Sequence, residues 1–382
     1  MPKLIMMVGV AGSGKSTIAM RYAVKQSAII FSSDGIRGEI YGDENCQKNP
    51  GRVFDILHQR VTKTLTEGFD VVYDATNLSC KRRMNFLKSI AHIDCRKECV
   101  VVVATPEDIE ERMKSRDRKV PMEVVHKQLC QFQCPNYYEG WDSIWIEYNS
   151  KPEDCHASYK KLWAECDIPH DNPHHTLSVI DHMSKAADIA EDFAWKDDDL
   201  SLVNERWVAR IHDIGKPRCK SFTDHKGNPS EVAHYIGHQN HGAYYSLLFD
   251  NSDFDISLKD SLDNACLIQW HMEHYLRKGD ALLKFYAMLP TKLRKRLHIL
   301  ERPTRPHIKK GRIYMKLKCD KIVSCGNYEC AFNYGGVCAH EVVCINANGY
   351  CALCKLKPVP KDNGGKPAQN KPNSPFDIET SK

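Results

Sequence analysis

Gly9-Val-Ala-Gly-Ser-Gly14-Lys15-Ser16 satisfies the pattern G-x-x-x-x-G-K-[ST] in full. The chemistry such a pattern serves is the holding of a polyphosphate. Gly9, Gly12 and Gly14, with Ser13 between them, let main-chain N–H groups turn toward phosphate oxygens. The N-terminus of the following helix adds positive potential. Lys15 is placed to reach the β- and γ-phosphates and Ser16 to hold Mg²⁺, with Thr17 next on the helix. ATP and Mg²⁺ are therefore the expected cofactors.

Other residues speak to the acceptor. Ser33-Asp34-Gly35-Ile36-Arg37 follows an apolar run, so Asp34 is expected at the C-terminal end of a strand, facing a ligand crevice. Asp34 could take the proton of an attacking hydroxyl and Arg37 could bind an acceptor phosphate. A helix-capping Asp with a solvated Arg one turn later fits the same spacing. Val71-Val72-Tyr73-Asp74-Ala75-Thr76-Asn77 delivers a second polar set: Asp74 toward Mg²⁺ through water, Thr76 and Asn77 toward the acceptor. Asn77 could equally be a turn former. Arg82 and Arg83 follow. Arg112 and Arg116 share one helix face, where they could stabilise a transferring phosphoryl group. A solvated basic helix is the plain alternative.

A second chemistry-bearing set lies further on. The chain has 18 histidines, and many fall between positions 170 and 274. Ile211-His212-Asp213-Ile214-Gly215-Lys216-Pro217 puts a His and an Asp side by side, able to bind one metal ion together if a kink turns both inward. His174, His175 and His182 precede it; His238, His241 and His271 follow. A third set is cysteine. Cys319, Cys325, Cys330, Cys338, Cys344, Cys351 and Cys354 crowd a segment too short to bury much core, which suits a metal staple.

These sets need elements to position them. Residues 1–150 alternate apolar runs (LIMMVGV, AIIFSS, DVVYDA, CVVVVAT) with helical stretches, which predicts an α/β domain with a mainly parallel sheet. Over 155–311 the strand-like runs stop and the periodicity is helical, predicting an all-α domain. A cysteine-rich module is expected over 312–357 and a disordered Pro/Asn/Lys/Gly tail over 358–382. The fold class is thus multidomain. Hydrophobic residues are 42% and charged residues 27%, an ordinary globular balance, and the net charge of +5 is compatible with an anionic partner without requiring one. No run of about 18 apolar residues predicts a membrane span, and the N-terminus lacks the layout of a signal peptide. A cytoplasmic setting, in a bacterial cell or a phage-infected host, is expected, so the 17 cysteines read as reduced thiols and metal ligands rather than disulfides.

The phosphate-binding loop, the Asp34-x-x-Arg37 pair, the Asp-x-Thr-Asn-Leu segment and the Arg-x-x-x-Arg stretch leading into Val120-Pro121 together resemble the P-loop polynucleotide 5′-kinases of bacteriophages and bacteria. The resemblance implies Asp34 as general base, Arg37 as acceptor-phosphate ligand, and Arg112 and Arg116 as lid arginines. HDIGKP resembles the central motif of the HD phosphohydrolase superfamily. That implies His182, His212 and Asp213 as ligands of a transition metal such as Mn, Ni, Co or Fe. Glu301 stands where the family's late Asp is expected, in Leu297-His298-Ile-Leu-Glu301. Lys216 could then contact a substrate phosphate, while His238, His241 and His271 could do the same or hold a second metal. The Cys325–Cys351 segment resembles a small bacterial cysteine-rich domain, implying Cys325, Cys330, Cys338 and Cys351 as Zn²⁺ ligands.

A kinase joined to an HD phosphohydrolase resembles bifunctional RNA end-healing enzymes. The expectation is phosphorylation of a 5′-OH by the first domain and removal of a 2′,3′-cyclic or terminal 2′/3′-phosphate by the second. RNA or DNA ends are the expected substrates, with an RNA ligase sealing in trans. Two further readings fit the same residues: a nucleoside or metabolite kinase fused to a nucleotide phosphohydrolase, and a non-catalytic RNA-binding protein.

Overall fold

The computed structural model describes residues 1–115, 120–173, 176–195, 197, 200–249 and 256–301, together with five short strands further on. Of Glu301 and of those strands only the backbone is described.

The first part is a βα alternation: β1 (Lys3–Val8), α1 (Lys15–Gln26), β2 (Ile29–Ser32), α2 (Ser33–Tyr41), α3 (Pro50–Thr66), β3 (Val71–Asp74), α4 (Cys80–Ser89), β4 (Arg96–Val103), α5 (Pro106–Ser115), α6 (Met122–Leu129) and β5 (Ser143–Tyr148). The five strands form one sheet in the order β2-β3-β1-β4-β5, every pair parallel. β1, β3 and most of β4 are buried on both faces, which explains their unbroken apolar sequences. Ile5, Met7, Ile18, Val72, Val100 and Val102 form a core between the sheet and α1. β5 lies at the sheet edge and is only partly buried.

After Pro152 the chain becomes helical: α7 (Pro152–Glu165), α8 (Val179–Ala194), α9 (Leu202–Ile211) and α10 (Lys216–Cys219). Here the structure departs from the expected run of helices alone, because an antiparallel ribbon of β6 (Lys220–Thr223) and β7 (Pro229–Tyr235) follows. The ribbon is mostly exposed, so its residues carry no strong apolar signal. Then come α11 (His238–Phe249) and α12 (Leu258–Trp270). Every residue of α11 from His241 to Phe249 is buried, as befits a central helix packed on all sides.

Residues Met1–Met272 and Lys292–Thr304 belong to one compact unit, so the sheet and the helices above share it. Tyr244 joins them. Its hydroxyl accepts from the Ala104 N–H (2.9 Å) and donates to the Ala104 carbonyl (3.2 Å) at the end of β4. The Cys134 N–H donates to Gln269 Oε1 at 2.7 Å, and Phe132 meets Tyr244 edge-on at 5.3 Å. A second unit contains α13 (Glu273–Leu276) and α14 (Asp280–Met288). α15 (Thr291–Glu301) returns to the first unit, where Arg296 is buried against Glu205 at 2.6 Å and Asn264 at 2.8 Å. The cysteine-rich segment shows β8 (Met315–Lys318) paired antiparallel with β12 (Val342–Ile345), and β9 (Val323–Ser324), β10 (Asn333–Tyr334) and β11 (Val337–Cys338) in a small sheet. Among the described residues no helix is long and apolar enough to cross a membrane.

Candidate functional site

Two sites emerge on the first unit. The first is the crevice beyond the C-terminal ends of β1, β2 and β3, where the strand order switches direction. The loop after β1 wraps toward α1. Gly14 lies in the left-handed region (φ 91°), and a Cβ there would come within 1.9 Å of the Asn149 amide nitrogen. Only glycine fits. The residue at the N-cap of α1 is Gly14, which has no side chain to cap the helix, so its first N–H groups can serve a phosphate. Lys15 is buried and donates to the Val10 carbonyl at 2.9 Å, while Ser16 and Thr17 face solvent.

Asp34 and Arg37 sit on the first turn of α2, which Ser32 caps through the Gly35 N–H. Their side chains are bonded to each other, with Arg37 Nη1 2.6 Å from Asp34 Oδ1. Ser32 and Asp74 are register partners, so Asp74 enters the same crevice wall from β3. Arg112 reaches back from α5 to the loop, donating to the Gly12 carbonyl at 3.3 Å and the Asn149 carbonyl at 2.5 Å. Arg116 lies outside the described residues. Asn77 adopts a left-handed conformation (φ 45°) and donates its amide to the Met7 carbonyl at 2.9 Å. This is the turn-forming arrangement, and Thr76 supports it by accepting the Gly9 N–H at 3.1 Å. Arg83 is wholly buried, in a two-pronged bond to Glu139 (2.6 and 2.7 Å) and on the Asn77 and Leu78 carbonyls.

Sequence reasoning missed two neighbours of the loop. Asn149 donates to the Ser13 carbonyl at 2.8 Å, and Gln128 Oε1 accepts the Ala11 N–H at 2.7 Å. Both come from elements distant in sequence. A single Asn after an edge strand and a single Gln in a short helix give no local signal.

The second site centres on Asp213. α9 ends at Ile211, and the tight turn that follows carries His212 and Asp213 inward. His182 comes from α8, His238 from the start of α11 and His271 from the end of α12; all are buried. On one side of the carboxylate, Oδ2 faces His212 Nε2 (3.2 Å), His182 Nε2 (3.5 Å) and Lys216 Nζ (2.7 Å). On the other, Oδ1 faces His238 Nε2 (3.2 Å) and His271 Nε2 (3.5 Å). Asp213 thus bridges two groups whose ligand atoms cluster closely enough to hold a metal ion, His182–His212–Asp213 and Asp213–His238–His271.

The donor set can be tested by its protons. Nδ1 of His212, His238 and His271 lies 2.7, 2.6 and 2.5 Å from the carbonyls of Ala209, Tyr235 and Ile268. A carbonyl only accepts, so each Nδ1 carries a hydrogen and each neutral ring keeps its Nε2 lone pair. Burial pushes the His271 ring down to about 4, so it is neutral near pH 7. Lone pairs then point at a carboxylate, and those of His238 and His271 at each other over 3.3 Å. Such an array repels itself unless a cation lies among it. Imidazoles oriented by backbone carbonyls and sharing a carboxylate suit divalent transition metals.

The structure redraws several expectations here. Lys216 is buried against Asp213 and against His170 Nε2 at 3.1 Å. His170 was not singled out in the sequence, although it stands in the same histidine-rich stretch; it lines an open hollow of about 480 Å³ with Asn172, Leu177 and Ser178. His241 is absent from both groups around Asp213 and stacks instead near His126 and Tyr245. His174, His175, Cys325, Cys330 and Cys351 lie outside the described residues, as do the side chains of Glu301 and Cys338.

The family described as AAA domain matches residues 4–135. No curated protein matches the chain. Among solved structures it is similar to a gluconokinase from Sinorhizobium meliloti 1021, with 18% identity over 42% of this chain and 93% of that one, TM-score 0.30. It is similar to Chaetomium thermophilum Kti12 in complex with ADP-AlF3, with 16% identity over 42% and 97%, TM-score 0.33. A third is a chain of the Pnkp1/Rnl/Hen1 RNA repair complex, with 25% identity over 34% and 43%, TM-score 0.29. The N-terminal part is an α/β domain with a parallel sheet and a P-loop, a loop that implies ATP and Mg²⁺.

Proposed function

We propose that the chain repairs broken nucleic-acid ends, with RNA the leading substrate. Residues 1–150 phosphorylate a 5′-hydroxyl from ATP, and residues 155–311 remove a 2′,3′-cyclic or 2′/3′-phosphate. The observation that carries this reading is the pairing, within one compact unit, of a P-loop crevice and a buried His/Asp cluster fit for divalent metal. One builds a phosphate ester and the other is suited to cleave one, as damaged RNA ends require.

In the crevice, Lys15 and the N-terminus of α1 hold the nucleotide phosphates, and Arg112 keeps the loop shaped through the Gly12 carbonyl. Arg37 and Asp34 are bonded to each other at 2.6 Å. A phosphate of the acceptor strand competes for Arg37 and draws it from Asp34. The freed carboxylate takes the proton from the 5′-hydroxyl as its oxygen attacks the γ-phosphorus, and ADP leaves. Asn77 and Arg83 shape the floor rather than touch the acceptor.

In the second site His182, His212, Asp213, His238 and His271 would hold one or two divalent ions of the Mn, Ni, Co or Fe kind. Such an ion acidifies water and neutralises phosphoryl charge. Lys216 holds one carboxylate oxygen in place, and His170 beside it lines the hollow through which a strand end would enter. The proposal extends to a Zn²⁺ module in the cysteine-rich segment, a cytoplasmic setting, and an RNA ligase that seals the healed ends.

The test is transfer of labelled γ-phosphate from ATP to a 5′-OH oligonucleotide, RNA and DNA, with Asp34→Ala beside the native chain. The expected result is transfer by the native chain and a loss of about 100-fold or more in the variant. Transfer to nucleosides or sugars but to no oligonucleotide would establish the small-molecule alternative instead.

A further inference from the structure

Where the two halves of the first unit join, three side chains meet and a fourth, His241, packs beside them. His126 lies on α6 and Cys130 immediately follows it; Cys219 ends α10; His241 lies on α11. Cys130 Sγ is 3.5 Å from His126 Nε2 and 3.6 Å from Cys219 Sγ. The three ligand atoms lie within 4.8 Å of one another. A disulfide would need an S–S distance of about 2.05 Å. Tetrahedral zinc, with Zn–S about 2.3 Å and Zn–N about 2.0–2.1 Å, sets S···S near 3.8 Å and S···N near 3.6 Å. The observed spacings match the second geometry.

His241 supplies an independent observation. It is 1% exposed, and among the described residues neither ring nitrogen has a hydrogen-bond partner. Its ring lies 5.2 Å from that of His126, the spacing of His182 from His212 and of His238 from His271 in the cluster around Asp213. A buried imidazole with two idle nitrogens is uncommon unless something absent takes one of them.

The backbone is shaped to bring these groups together. Gly237 lies in the left-handed region (φ 84°), and a Cβ there would sit 2.6 Å from Cys130 Cβ and 2.9 Å from its carbonyl oxygen. Asn240 donates to that carbonyl at 2.7 Å. No larger residue at position 237 allows this approach.

We propose that His126, Cys130 and Cys219 hold a zinc ion that staples the P-loop half to the helical half, with the ring of His241, which lies beside that close trio, turning in as the fourth donor. Two sulfurs and two imidazoles are the donors zinc prefers in closed structural sites. Gln128, two residues before Cys130, holds the Ala11 N–H of the P-loop. The staple therefore steadies a helix that supports the nucleotide site.

The experiment uses the full chain, purified in reductant and dialysed against trace Zn²⁺. Zinc per chain is measured for the native protein, His126→Ala, Cys130→Ser and His212→Ala. The expected result is that Cys130→Ser lacks one equivalent that His212→Ala retains, with His126→Ala binding that equivalent more weakly. In the native chain, half-exposed Cys130 is also alkylated with N-ethylmaleimide and mapped by peptide mass spectrometry, with and without zinc. Zinc should slow its alkylation at least 10-fold, a readout that needs no variant to fold. Equal zinc in the native chain and Cys130→Ser, an unchanged alkylation rate, or a Cys130–Cys219 disulfide in the protein as isolated would each overturn the proposal.

Discussion

Asp213 shows how much a single carboxylate can organise. Four imidazoles and one ammonium converge on its two oxygens, and backbone carbonyls fix the tautomers of three of the rings. His212 is fully buried at its centre. His212→Ala should therefore lower phosphate release from a 3′-phosphate oligonucleotide by more than about 100-fold while 5′-phosphorylation stays within about twofold, because a direct ligand weighs more than its supports. Phosphate release at the native rate would show that the cluster is not the hydrolytic centre. The His-Asp pair was legible in the sequence because adjacency is a local property. His238 and His271 could be suspected, yet their assignment to the opposite oxygen required the turns that end α9 and α12. His241 was grouped with them by proximity in sequence alone; one helical turn beyond His238, its ring meets those of His126 and Tyr245 instead.

Elements explain which arginines are free to act. Arg82 and Arg83 looked alike as a basic pair following a strand. Arg83 instead points under α4, where it ties the turn after β3 to Glu139 with both partners buried. Arg83→Met leaves Glu139 as an uncompensated buried charge and should cost about 3–5 kcal/mol, read as a lowered urea midpoint. Adding Glu139→Gln should recover part of that loss; a single variant as stable as the native chain would refute the structural role. β1, β3 and β4 were legible because central parallel strands are continuous apolar runs, and β2, although an edge strand, because its own short run AIIFSS is apolar. β5 was not, since an edge strand mixes Trp145 with polar neighbours, and neither was the β6–β7 ribbon. In helix α2 the capping residue is Ser32, and the Asp34 carboxylate meets Arg37 one turn on.

At the scale of the whole molecule, composition marked where strands give way to helices but not that the two parts share one interior. Phe132, Cys134 and Tyr244 are all buried where they meet. Residues 1–150 produced alone should therefore expose this surface and aggregate or bind hydrophobic dyes, whereas the full chain should not; a monomeric, dye-silent fragment with full kinase activity would count against it. The Tyr244 hydroxyl carries a consequence for how the protein is made. It closes both main-chain groups of Ala104 from 140 residues further along the chain. On the ribosome, the sheet emerges and can fold long before its last partner has been synthesised. For that interval the end of β4 and the apolar face around Phe132 stand open, so translation speed and chaperone occupancy between the two halves govern the yield of native protein.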